Sequence, residues 1–269
     1  MTRPIAETLS DIAARASELV LEVYDTRFAV EYKGPSDPVT EADKRANELI
    51  CRELEREFPG VPIVAEESDE ASFAEFRDSE RIFFVDPVDG TREFVDRNGE
   101  FVVMIGLVEG DRPSVGVIRA PAQGVTWVGV VGEGAYQIAP DGSRSPIRVS
   151  DKPDLDGARI VSSRSHRSAR LAKTLGALGA AKIAILGSAG LKGVEVARGA
   201  AEAYVAPDYA GKRWDSCASE AVVVAAGGRF SAADGKLIDY RAESLGLSTG
   251  VIASNGRVHD AIVRRLAGE

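Results

Sequence analysis

The stretch Ile82-Phe83-Phe84-Val85-Asp86-Pro87-Val88-Asp89-Gly90-Thr91 decides how the rest of the chain is read. Its first four residues are an uninterrupted apolar run of the length of a short buried strand. Two carboxylates follow, three residues apart, on a segment that Pro87 and Gly90 turn. Pro87 biases Asp86 toward extended geometry, so the strand is expected to run up to Asp86 itself. Carboxylates at the carboxyl end of a strand, where open sheets place their ligands, suggest a hard-cation site. A turn whose acids are merely solvated is the simpler alternative, and the rest of the chain has to decide between the two.

Upstream, Ile5, Leu9, Ile12, Ala16, Leu19, Val20 and Val23 recur at helical spacing and predict an amphipathic helix up to about Tyr24. Lys33-Gly34-Pro35-Ser36-Asp37-Pro38 breaks the pattern as a loop. Thr40-Glu41-Ala42-Asp43 opens a second helix that ends near Phe58, and a short strand at 61–64 leads into Ala65-Glu66-Glu67-Ser68. The acidic stretch 69–80 reads as a solvated surface loop and helix. Downstream, β-rich runs at 101–108, 114–119, 125–131 and 135–138, separated by Gly, Pro and Asp, predict an antiparallel meander. Beyond about residue 150, short strands at 159–161, 182–186, 203–205 and 251–253 alternate with helices at about 168–178, 190–199, 214–226 and 257–267. The expected organisation is an α+β half, residues 1–150, followed by an α/β half, residues 151–269.

A chain of 269 residues with 44% hydrophobic and 28% charged residues has the composition of a globular protein with a large core. Its net charge of −9 argues against a nucleic-acid polymer as partner. A small phosphorylated substrate is compatible if metal ions mask the repulsion. Two cysteines, Cys51 and Cys217, are too few for a disulfide scaffold or a thiolate zinc site. Acids at 7, 11 and 18 exclude a signal peptide, and no apolar run reaches the ~18 residues of a spanning helix. A reduced, cytoplasmic setting away from membranes is expected.

Four places offer acids at the end of an element: Asp43, Glu66-Glu67, Asp86 with Asp89, and Asp215. Singly, each has a simpler explanation. Asp43 completes a T-x-x-D capping box with Thr40, Glu66 and Glu67 suit an exposed loop, and Asp215 suits a helix's first turn. Jointly they suit magnesium, which takes oxygen ligands and few of them from protein. Three or four carboxylates suffice for two ions.

The E-E after a strand, the D-P-x-D-G-T and the W-D opening a late helix resemble the magnesium-dependent, lithium-sensitive phosphomonoesterases of the inositol monophosphatase superfamily. The resemblance keeps its order from Pro38-Val39-Thr40-Glu41-Ala42-Asp43 to the last helix. It implies an αβαβα layered sandwich of the inositol monophosphatase/fructose-1,6-bisphosphatase type, with the site between the halves. It also implies that Glu66, Asp86, the Val88 carbonyl, Asp89 and Asp215 hold two or three Mg2+ ions. Asp43 and Thr91 match the pair that orients and deprotonates the attacking water, and the Gly90 and Thr91 N–H groups would meet a phosphate oxygen. Ala65 stands where the family often has Gly. Phosphate-ester hydrolysis requires hydroxide near neutral pH and a neutralised phosphoryl group, which carboxylate-held magnesium supplies.

Thr91-Arg92-Glu93-Phe94, Ser163-Arg164-Ser165-His166, Gly187-Ser188-Ala189-Gly190-Leu191-Lys192 and Lys212-Arg213-Trp214-Asp215 resemble motifs of the 3′(2′),5′-bisphosphate nucleotidase branch. That likeness implies a nucleotide pocket lined by Ser163, His166, Ser188 and Lys192, and removal of the 3′-phosphate of adenosine 3′,5′-bisphosphate, a step of sulfur assimilation. Ser188 replaces a Gly of that pattern and Leu191 an Asn, which leaves the fit of this loop open. An inositol or other sugar phosphate on the same scaffold is the first alternative, and a non-catalytic metal- or nucleotide-binding protein is the second. Relatives occur as monomers and as homodimers. His259, on a C-terminal amphipathic helix, is expected to be structural or surface, and Trp214 to pack in the core.

Overall fold

The computed structural model describes residues 2–34, 37–73, 76–164, 169–180 and 182–268. The first predicted helix is α1 (Thr2–Tyr24), whose apolar stripe from Ile5 to Val23 is buried except at the half-buried Leu19. A two-stranded ribbon, β1 (Val30–Gly34) with β2 (Asp37–Thr40), leads into α2 (Glu41–Glu57). The predicted capping box is formed: the Thr40 hydroxyl accepts from the Ala42 N–H at 3.2 Å, and the Asp43 carboxylate accepts from the Thr40 N–H at 2.8 Å.

The first sheet has seven strands in sequence order: β3 (Ile63–Ala65), β4 (Arg81–Asp89), β5 (Val102–Glu109), β6 (Arg112–Ala120), β7 (Val125–Val130), β8 (Gly134–Ile138) and β9 (Arg144–Ile147). From β4 onward it is the expected antiparallel meander, with β3 parallel to β4 on its edge. A short helix α3 (Thr91–Val95) interrupts between β4 and β5. The second sheet is built from β10 (Arg159–Ser163), β11 (Lys182–Leu186), β12 (Ala203–Ala206), β13 (Arg229–Ala232) and β14 (Val251–Ser254), in the order β11-β10-β12-β14-β13. Its helices are α4 (Ala169–Ala177), α5 (Ala189–Ala197), α6 (Trp214–Ala225) and α7 (His259–Ala267).

Three cores stack the elements into five layers. α1 and α2 bury Leu9, Ile12, Ile50 and Leu54 against Phe83, Val85, Val103 and Ile105 on one face of the first sheet. The residues that alternate with these, Ile82, Phe84, Val102 and Met104, face the opposite way, onto α5 and α6. The same middle layer packs on the second sheet through Val161, Tyr204 and Ala253. Ile160, Ala203 and Ile252 point out to α4 and α7. The result is the expected αβαβα sandwich.

Three glycines let the middle layer come close. Gly106, Gly116 and Gly129 are cross-strand neighbours on β5, β6 and β7, on the face turned to α6. A Cβ at Gly116 would lie 2.3 Å from the Ala218 carbonyl oxygen, and one at Gly129 would lie 2.5 Å from the Val222 Cα. The α6 backbone therefore rests directly on bare sheet, and this contact sets the position of its first turn, which carries Asp215.

Two local expectations are corrected. The segment after Val85 is not a free turn: β4 continues to Asp89, with a register shift against β5 between Asp86 and Asp89. A bulge accommodates Pro87, which lacks the N–H a regular ladder position requires. The acidic stretch 69–80 is not only a solvated face, because its two 3-10 turns bury Phe73 and Phe76. Phe76 meets Phe84 edge-on at 6.2 Å.

Candidate active site

The β4 bulge places two carboxylates at one sheet end. Asp86 is 1% exposed, and its Oδ1 accepts from the Val88 N–H at 3.0 Å, which fixes the side chain inside the bulge. Asp89 ends the strand, and Gly90 then takes left-handed backbone (φ 97°) to start α3 at Thr91. Asp215 arrives from the other half in the first turn of α6, with its Oδ2 accepting from the Lys212 N–H at 2.6 Å. Among the described residues, Asp86, Asp89 and Asp215 form the one group of potential metal ligands, with carboxylate oxygens within 4.8 Å of one another.

These groups are crowded, with Asp86 and Asp89 buried and Asp215 half-buried. Burial pushes the Asp86 carboxyl well above the usual carboxylate range, and Glu66, Asp89 and Asp215 push it further. Asp215 is raised in the same way, by burial first and then by Asp89 and Glu66. Three hard oxygen donors that repel one another in a buried site suit a divalent cation, whose charge would reverse the repulsion. The donor set therefore fits such an ion.

Glu66 lies just outside this trio. It follows β3, it is raised to about 7 by burial, and Lys33 of the β1–β2 ribbon pairs with it at 3.2 Å. Lys33 also pairs with Glu67. The two carboxylates raise the Lys33 ammonium despite its burial. Lys33 was not picked out by sequence, since a lysine beside a glycine in a broken loop carries no signal of where the ribbon folds back.

Asp43 is 1% exposed and reaches the site through one atom: the Thr91 hydroxyl lies 2.9 Å from Asp43 Oδ1 and 3.1 Å from the Val88 carbonyl oxygen. Its other oxygen holds the Thr40 N–H and hydroxyl, at 2.8 and 2.6 Å. Burial raises the Asp43 carboxyl, and those hydrogen bonds oppose the rise.

Glu66, Asp86, Val88, Asp89, Gly90, Thr91 and Asp215 line one cleft of about 720 Å³. A second cavity of about 350 Å³ shares Asp89, Gly187, Tyr209, Gly211 and Asp215 with it, and is walled by Ser163, Leu171, Lys192, Tyr204 and Pro207. Lys192 is 2% exposed; its ammonium donates to the Gly187 carbonyl at 2.7 Å and stands 5.3 Å over the Tyr204 ring. Burial lowers its pKa, and Asp89 and Glu93 counteract this.

Ser188 is fully buried and faces Asp89 rather than either cavity. It caps α5, accepting from the Leu191 N–H at 3.0 Å, and donates to Asp89. The Ala189 and Gly190 N–H groups also donate to the Asp89 carboxylate, at 3.1 and 2.7 Å. His166, also expected in the pocket, lies outside the described residues. Trp214 is buried as expected, with Lys212 Nζ 4.7 Å over its ring. His259 is fully buried between Ser231 and Ser254, far from this cleft in the fold, at the start of α7.

Among the described residues no helix is long and apolar enough to cross a membrane. Known proteins are similar both in sequence and in fold. A protein of Salmonella typhimurium named 3′(2′),5′-bisphosphate nucleotidase CysQ is 35% identical over 238 residues, 87% of this chain and 93% of that one. The Escherichia coli K12 protein of the same name is 34% identical, with the same coverage. Among solved structures, an IMPase from Thermotoga maritima superposes with a TM-score of 0.82 at 28% identity, covering 100% of this chain and 98% of that one. CysQ from Bacteroides thetaiotaomicron gives 0.80 at 28% identity, covering 94% and 98%. Residues 1–268 match the inositol monophosphatase family, and with its carboxylate cleft in place the chain belongs to that family and is a phosphoric monoester hydrolase.

Proposed function

We propose that the protein is a magnesium-dependent phosphatase that removes the 3′-phosphate of adenosine 3′,5′-bisphosphate, giving AMP and phosphate. In this reading Asp86, Asp89, Asp215, Glu66 and the Val88 carbonyl hold two or three Mg2+ ions, drawn from both halves of the chain, 1–150 and 151–269. The chemistry such ions supply when bound is Lewis-acid polarisation of the phosphoryl group and acidification of water.

The chain's own residues do the rest. The Thr91 hydroxyl links the buried Asp43 carboxylate to the cleft. It orients a water by accepting from it. As that water gives up its proton to Thr91 Oγ, the Thr91 proton passes to Asp43 Oδ1, whose raised affinity for protons suits the role. Gly90 and Thr91 line the cleft beside Asp89, where their N–H groups would meet a phosphate oxygen. Glu66, paired with Lys33 here, would exchange that partner for the cation.

The observation that carries the nucleotide reading is Lys192. A buried ammonium on the wall of the second cavity, beside the carboxylate trio, is where a substrate with a second phosphate gains most. Ser163, 4% exposed in the same wall, adds a hydroxyl. The names carried by relatives at 34–35% identity support the same substrate. The likeness to the Thermotoga IMPase favours a second reading, an inositol or other sugar phosphate on the same machinery.

Phosphate release from adenosine 3′,5′-bisphosphate, inositol 1-phosphate and 2′-AMP at equal Mg2+ separates the readings. The bisphosphate is expected to have the highest kcat/KM by about tenfold or more, the contribution of one charge-assisted contact. A preference for inositol 1-phosphate would hand the assignment to the second reading.

A further inference from the structure

We propose that Arg164, Glu93 and Glu100 form a clamp that positions Asp89 through the start of α5, and thereby sets how tightly the carboxylate trio holds a divalent cation. This inference rests on the metal reading above.

The clamp joins the two sheets at the mouth of the site. Arg164 follows β10, and its Nη1 lies 2.7 Å from Glu100 Oε2 and 3.4 Å from Glu93 Oε1, while its Nη2 donates to Glu100 Oε1 at 2.9 Å. Its backbone N–H donates to the Leu186 carbonyl at 2.9 Å, which extends the β10–β11 pairing to the clamp. Glu93 lies in α3 and is 3% exposed; Glu100 stands just before β5. A single guanidinium from the second half is thus held by two carboxylates of the first.

The grip passes to α5 through one amide. Glu100 Oε2 also accepts from the Gly187 N–H at 3.0 Å. Gly187 must be bare, because a Cβ there would lie 1.9 Å from the Glu93 carboxyl carbon. The next three residues, Ser188, Ala189 and Gly190, each donate to the Asp89 carboxylate. Both Asp89 oxygens are therefore oriented by donors whose own position Glu100 fixes one residue upstream. Replacing a group that orients a ligand from behind typically costs about 10- to 100-fold in metal affinity. Arg164 and Glu100 are positioning residues: neither lines the cleft that holds Asp86, Asp89 and Asp215.

Calorimetric titration of Mg2+ into metal-free protein, without substrate, tests this. Arg164→Ala and Glu100→Ala are expected to raise the Mg2+ dissociation constant about tenfold, the low end for an orienting group. Glu100→Gln is expected to fall between the parent and Glu100→Ala, because its amide oxygen still accepts from Gly187 while its NH2 group turns a donor toward the Arg164 guanidinium. Glu202→Gln is the control: it removes the buried partner of Arg159 at the far end of β10, lowering Tm without moving the Mg2+ constant. Unchanged Mg2+ constants in Arg164→Ala and Glu100→Ala, or an equal shift in Glu202→Gln, would overturn the clamp. A parent protein with no saturable Mg2+ binding would defeat the metal reading itself, and the clamp with it.

Discussion

Asp89 accepts three hydrogen bonds from the start of α5, and a carboxylate is the side chain of this shape that accepts at both ends. Asp89→Asn would turn an amide NH2 toward an N–H or hydroxyl donor and also remove a ligand charge. The variant is expected to stay folded by circular dichroism while phosphatase activity falls by about a hundredfold or more; activity equal to the parent would rule out the carboxylate trio as the metal site. His259 illustrates a different residue-level effect, on stability rather than chemistry. The Ser231 hydroxyl donates to the Ala232 carbonyl at 2.7 Å, so its oxygen accepts from His259 Nε2–H at 2.9 Å. Nδ1 is then the acceptor of the Ser254 hydroxyl at 2.8 Å, and the ring is neutral. Burial, reinforced by Arg229, lowers its pKa from 6.5 to about 4. Between those values the unfolded chain binds the proton and the folded one does not, so stability is full above pH 6.5 and declines toward pH 4, at about 1.4 kcal/mol per pH unit. Urea unfolding of the parent and of His259→Gln across this window checks the sign: the parent curve should be steeper at low pH by up to that slope.

At the scale of elements, what could be read from sequence follows from where the physical signal is concentrated. α1 and α2 carry strong apolar periodicity and the strands at 82–85 and 102–108 are apolar runs; the carboxylates at 86 and 89 follow the first of those runs and Asp215 opens a late helix, so both the layers and the acids were legible. β9 and β13 were not, because Arg144-Ser145-Pro146-Ile147 and Arg229-Phe230-Ser231-Ala232 are short edge strands that depend on pairing with β8 and β14 rather than on a pattern of their own. The grip of α5 on Asp89 and the approach of Lys33 to Glu66 are contacts 101 and 33 residues apart in sequence, and residue spacing does not encode them. The glycine row was equally hidden, since a glycine inside a strand reads as a weak point until the helix lying on it is known. That row makes a prediction with a built-in contrast. Gly116→Ala would drive a Cβ to 2.3 Å from the Ala218 carbonyl and lift α6, costing about 2–3 kcal/mol and displacing Asp215 with a loss of activity. Gly176→Ala, on the exposed side of α4 with open space around it, is expected to stabilise by about 0.5–1 kcal/mol with activity unchanged. Urea unfolding of both variants measures the difference; an equal effect at the two sites would mean that α6 does not rest on bare sheet.

At the scale of the whole molecule, the two sheets meet α5 and α6 in one shared core, yet the cleft at their ends holds mutually repelling carboxylates that are buried or half-buried. Burial and crowding raise Asp86, Asp215 and Glu66 together, so the fold without a cation carries an unfavourable cluster that packing elsewhere offsets. Glu66 binds its proton up to about pH 7, and Lys33 meets part of its remaining charge. A bound divalent cation acts on the native state alone, since the unfolded chain scatters Asp86 and Asp215 far apart, and so adds stability in proportion to the logarithm of its concentration. In EDTA the parent is therefore expected to melt several degrees lower than in Mg2+, with about 2.7 kcal/mol separating metal-free protein from protein at a hundred times the dissociation constant. Asp86→Asn separates the two halves of this argument. Its amide oxygen still accepts from the Val88 N–H, but the charge that Glu66, Asp89 and Asp215 oppose is gone. The variant is expected to melt above the parent in EDTA, to gain little on Mg2+ addition, and to lose phosphatase activity. Differential scanning calorimetry with and without Mg2+ reads all but the last directly. A variant that melts below the parent in EDTA would mean that Asp86 serves the metal-free fold, and that the crowded acids are held there by hydrogen bonds rather than tolerated for the cation.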